Sequence, residues 1–82
     1  LWELHLLNVT EGQKIRVASA MTVTIGQNVA WWSQFIDGLP NKVPLRARMK
    51  DIAMLKETLG EAGAVTRIYP ARVYPAPDGE QG

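Results

Sequence analysis

Cysteine is absent from this sequence. That excludes disulfides, thiolate metal sites and thiol nucleophiles. It fits a reducing compartment, and a cytoplasmic setting is the expectation. His5 is the single histidine. With no Asp or second His near it in sequence, it reads as a structural side chain on a strand. A metal site needs three or four clustered ligands, and none cluster along the chain, so neither a metal nor a cofactor is expected. No Gly-rich phosphate loop is present, because Gly60 and Gly63 flank the end of a helical segment and not its start. Ser19, Ser33 and the threonines have no histidine partner in a triad pattern. The only paired carboxylates, Asp78 and Glu80, fall in a polar end segment. An enzyme is therefore not expected. Charge of one sign is also missing: nine basic and eight acidic residues give a net charge of +1. A strongly basic face of the kind that marks nonspecific nucleic-acid binding is not expected from that balance. No apolar run approaches the roughly 20 residues that span a bilayer, and no signal peptide is visible. The start at Leu1 in place of Met reads as a trimmed product or an excised fragment.

What is present suffices for one small domain. The chain has 82 residues, 46% of them apolar, and a domain of this size buries about 60–65% of its unfolded surface. The clearest stretch runs from Lys50 to Tyr69. Ile52, Leu55, Leu59 and Ala62 recur at helical spacing, with Met54 beside them, and Lys50, Lys56, Glu57 and Glu61 fall on the opposite face. Asp51 lies in the first turn, where a carboxylate suits the helix dipole. Gly63 supplies the left-handed stop. The alternating run Val65 to Tyr69 then predicts a strand ending before Pro70.

Upstream, Trp2, Leu4 and Leu6 alternate with Glu3 and His5, which predicts an opening strand with one covered face. Asn28 can cap a helix over Val29 to Ile36, where Val29, Trp32, Phe35 and Ile36 share a face. Trp31 points off that face, either half-buried over a neighbour or exposed as an anchor for a partner. Val43 to Arg48 is extended, and Pro44 restricts it to a sheet edge or an irregular link. Lys42, Arg46, Arg48 and Lys50 form a basic run, a solvated face or a site for an acidic partner. RNA fits that run less well, because aromatic residues do not interleave with it. Residues 70–82, with two Tyr-Pro steps, read as an extended tail that is disordered at its tip. The segment Gln13 to Ile25 is ambiguous. Ile15, Val17, Ser19, Met21, Val23 and Ile25 alternate as a strand would, whereas Val17, Ala18, Met21 and Ile25 also form a helical face.

From Gly12 onward the order of features resembles the C-terminal domain of the bacterial ribosomal stalk protein, the large-subunit seven/twelve protein. Lys14-Ile15 opens the first element; Gly26 stands at the turn; Phe35-Ile36-Asp37 and Pro40 keep the spacing. Leu59-Gly60-Glu61-Ala62-Gly63-Ala64-Val65 matches the close of the last helix and the start of its strand. The register runs without a gap from about Gln13 to Ile68. The resemblance implies an α+β fold, a small two-layer sandwich of order β-α-α-β-α-β with a three-stranded sheet covered by three helices, and residues 1–69 as the domain. It selects helix for Gln13 to Ile25, paired as a hairpin with Val29 to Ile36. In the family that hairpin carries lysines and an arginine that dock translation GTPases. Here Lys14 alone holds a matching basic position, with Arg16 an added charge. Ser19, Thr22, Ala30 and Ser33 hold the others, Trp31 replaces a charge, and the turn keeps one glycine of two. The resemblance thus implies a noncatalytic protein-interaction module that recruits a protein partner, GTPase-like or a subunit of another complex, through Lys14, Ile15, Arg16, Ala18, Ser19 and Trp31. Two alternatives stand beside it. One is a peptide-binding adaptor of the related kind that delivers substrates to the Clp protease, although Asn8-Val9-Thr10-Glu11 offers only one carboxylate of that pocket. The other is an assembly subunit that pairs through an edge strand and the Tyr-Pro tail.

Overall fold

The computed structural model describes residues 1–71. Its elements are β1 (Trp2–Val9), α1 (Lys14–Thr24), α2 (Val29–Asp37), β2 (Asn41–Ala47), α3 (Met49–Ala62) and β3 (Ala64–Pro70). This is the expected α+β order, β-α-α-β-α-β. The three strands form one antiparallel sheet in the order β2-β1-β3, so the opening strand is its centre. β3 runs through Pro70, one residue past the expected end, and the Ala71 amide donates to the Leu1 carbonyl at 2.9 Å. The expected tail from Arg72 onward lies outside the described residues.

Strand alternation sorts the sheet into two faces. Leu4 and Leu6 of β1, Val43 of β2 and Ala64 of β3 turn inward and are buried. Against them pack Val17, Ala18 and Met21 of α1, Trp32 and Ile36 of α2, and Ile52, Leu55, Leu59 and Ala62 of α3. Helices and sheet thus share one core.

α1 settles the ambiguous segment as helix. Its inward face is Val17, Ala18 and Met21. Ile15 and Val23, which a strand would align with Val17 and Met21, are exposed, Val23 to 85%. The Thr22 and Thr24 hydroxyls donate to the carbonyls of Ala18 and Ala20, at 3.0 and 2.7 Å. These hydroxyls thereby find partners inside the helix itself. Burial of Val17, Ala18 and Met21 against the core outweighs the strand preference of the segment's β-branched residues, Val17 included.

α2 starts where Asn28 predicts, its Oδ1 accepting the Trp31 amide at 2.8 Å. α3 ends at Gly63, whose φ of +114° is left-handed. A Cβ at that position would lie 2.8 Å from the Gln13 Cβ. The same junction is tied to the exit of β1, because the Thr10 amide donates to the Gly63 carbonyl at 2.8 Å. Met54, grouped with the apolar face by sequence, is exposed.

Candidate functional site

The helix hairpin separates the expected partner-binding residues. Lys14, at the start of α1, pairs with Asp37 at the end of α2. Trp31 lies six residues earlier on α2, about 9 Å along its axis at 1.5 Å per residue. Arg16 turns toward α3: it donates to Gln13 Oε1 at 3.1 Å and to the Glu61 carbonyl at 3.5 Å. Ile15 is exposed and Ser19 is half-buried. Ala18 is fully buried in the core, so it holds the hairpin together and offers no surface. The basic end at Lys14 and the aromatic end at Trp31 are therefore two places, and Lys14 is already engaged by a carboxylate.

The aromatic end is built from its neighbours. Trp32 is buried and donates its indole N–H to the Gly26 carbonyl, which locks the helix turn to the core. Trp31 meets Trp32 edge-on, with ring centroids 4.7 Å apart and planes at 81°. It also stacks on Phe35 at 6.0 Å and 16°. Phe35 meets Trp32 edge-on in turn, at 5.3 Å. Such geometries suit the ring quadrupoles. Trp31 keeps 40% of its surface exposed, so it is a braced ring with a face in solvent.

The sheet presents a second surface, on the side away from the helices. Registered pairs put side chains on the same face, and two rows cross the strands there. One is Arg46–Glu3–Tyr69 and the other Lys42–His5–Arg67. Glu3 is only 7% exposed. Arg46 Nε donates to Glu3 Oε2 at 3.2 Å, Lys42 Nζ lies 3.5 Å from the same oxygen, and His5 Nε2 lies 3.7 Å from Oε1. Burial pushes the Glu3 carboxyl up, but Lys42, Arg46 and His5 together hold it below its ordinary value. His5 also packs on Tyr69, with ring centroids 4.3 Å apart.

From sequence, Glu3 and His5 fall opposite the covered face of the opening strand and Arg67 and Tyr69 fall in the last strand, with nothing that joins them. Alternation along β1 and β3 carries that signal; the register that aligns them does not show in one strand read alone. Among the described residues no three His, Asp or Glu side chains gather as metal ligands, and no helix is long and apolar enough to cross a membrane. A depression at the β1 exit is lined in part by Leu7, Val9, Glu11, Ile36 and Asp37. Its Asp37 carboxylate is held by Lys14. No protein-family model matches the chain, and no curated protein matches it in sequence.

Proposed function

We propose that this chain is a noncatalytic protein-interaction domain resembling the ribosomal stalk C-terminal domain, and that it recruits its partner through the aromatic end of the helix hairpin. The observation that carries the reading is Trp31, a large ring left 40% exposed and braced on two sides by Trp32 and Phe35. A ring held this way loses little freedom when a partner covers it, and tryptophan is enriched among residues that dominate interface energy. Charge contributes less. Lys14 is paired with Asp37, Arg16 is drawn toward α3, and Ala18 has no exposed surface. The working surface is thus Trp31 with its α2 neighbours, while Ile15 and Arg16 belong with Lys14 at the other end of the hairpin and Ser19 lies between the two ends.

A binding isotherm against a purified bacterial translation GTPase, for the parent and for Trp31→Ala, tests the reading. The expected result is saturable binding that the substitution weakens by about 2 kcal/mol, the usual hot-spot threshold. Absence of binding to the GTPase removes the stalk-like partner. Capture of an unfoldase in place of the GTPase favours the adaptor alternative. Equal binding by parent and variant removes Trp31 as the site. Edge-strand assembly has less support: Pro44 deprives β2 of a donor, and Lys56 Nζ donates to the Thr66 carbonyl of β3 at 2.8 Å.

A further inference from the structure

The open face of the sheet carries the whole charge imbalance of the described domain. Residues 1–71 hold eight basic and six acidic side chains. Three of the basic ones, Lys42, Arg46 and Arg67, and one carboxylate, Glu3, are on this face. The remaining five basic and five acidic side chains balance. The single carboxylate is covered by its neighbours on this face, at 7% exposed, and shared among Arg46, Lys42 and His5, so it adds little repulsion at the surface. Arg67 is exposed and pairs with no carboxylate among the described residues. Beside Arg67 on β3, in the same row as Arg46, stands Tyr69, 38% exposed and packed on His5. Aromatic interleaving is missing from the basic run along the chain, yet the register supplies it across the strands.

We propose that this face binds a short single-stranded nucleic acid, with a base stacked on Tyr69 and phosphates held by Lys42, Arg46 and Arg67. The outer strands lie roughly 10 Å apart and the two rows about 7 Å apart along β1 and β3, while on β2 the irregular register sets Arg46 and Lys42 four residues apart; two or so nucleotides cover such a face. A flat sheet bearing aromatic and basic side chains suits splayed bases, which stack on rings while cations meet their phosphates. A duplex hides its base faces and gains nothing from Tyr69. An acidic peptide would pair along a sheet edge, and here Pro44 and Lys56 obstruct both edges. The face is on the opposite side of the sheet from the helices, so this site is independent of the hairpin surface.

Fluorescence anisotropy of a labelled oligouridylate of about eight nucleotides tests the proposal. Binding should be detectable by about 0.1 mM protein at low salt, and it should weaken with salt with a log–log slope of about −2, from three phosphate contacts at roughly 0.7 each. Tyr69→Ala should weaken binding about tenfold with the slope unchanged. Arg67→Gln should reduce the slope by about 0.7. Lys50→Gln, which removes a cation from the helical layer, should leave binding unaltered. Arg67 is exposed, so its variant should fold even if Tyr69→Ala does not; circular dichroism checks both. Three results overturn the proposal: no anisotropy change at about 0.5 mM protein, equal affinity for a duplex of the same length, or polyglutamate bound as tightly as the oligonucleotide.

Discussion

Glu3 is a carboxylate kept from water by two strands, and its partners decide what that position contributes. Its folded pKa is depressed, because Lys42, Arg46 and His5 outweigh the burial that would raise it. A depressed carboxylate stabilises the fold at pH values above its unfolded pKa, and that contribution fades as pH falls through the folded value. The window therefore opens near the ordinary value of 4.5 and extends below it. Glu3→Gln should be less stable than the parent at neutral pH, and the gap should close as both are acidified. Thermal melts of the pair across the acid range measure this; a gap that persists at low pH would show that packing, not charge, holds Glu3. Gly63 makes a second residue-scale case. Its φ of +114° is a left-handed conformation and its missing Cβ leaves room for Gln13. Gly63→Ala should cost about 1–2 kcal/mol for the backbone alone, plus displacement of Gln13. A denaturant midpoint unchanged by the substitution would contradict that.

At the scale of elements, legibility follows how local the signals are. α3 is readable end to end because Asp51, the Ile52-Leu55-Leu59-Ala62 face and the Gly63 stop all act within its own span. The start of α2 is readable for the same reason, since Asn28 caps its own helix. The inner position of Leu59 carries a direct consequence: the side chain is fully buried, so Leu59→Ala should cost about 2–5 kcal/mol. A loss below about half a kcal/mol on chemical denaturation would contradict that burial. α1 is not readable from its own residues. Alternation along Ile15 to Ile25 favours a strand, and only the burial of Val17, Ala18 and Met21 against other elements decides for helix. The candidate surfaces divide the same way. Trp31 is visible as a residue that falls off the apolar face of α2, whereas Ala18 shares a helical face with Val17 and Met21 and is placed among the partner-binding residues by the resemblance alone. The two rows on the open sheet face need a register with an irregularity between Glu3 and His5 against β2, and the pairing with β3 has another, beyond the rows, between Leu6 and Asn8. Those offsets arise from pairing across the sheet and leave no mark in any single strand.

Across the whole molecule, adjacent tryptophans on one helix serve opposite sides of the same boundary, and that contrast sets the last expectation. Trp32 belongs to the core and donates to Gly26; Trp31 stacks over Phe35 with a face in solvent. Trp32→Ala should cost about 3–5 kcal/mol, which is a large fraction of the stability available to a domain of this size. Trp31→Ala removes less buried area and should lower stability by a smaller amount while weakening partner binding by about 2 kcal/mol. Lys14→Ala should weaken binding less than Trp31→Ala, because Lys14 is held by Asp37 across the open end of the hairpin. An interface organised around an aromatic ring should also respond weakly to salt, since screening acts on exposed charges beyond about 10 Å at 0.1 M. Oligonucleotide binding on the sheet should instead weaken steeply with salt, because its affinity comes from phosphate contacts. Thermal melts and partner isotherms of the three variants, repeated at two salt concentrations, separate the roles. If Trp31→Ala binds normally but melts as early as Trp32→Ala, both rings belong to the core, and the hairpin loses its principal site.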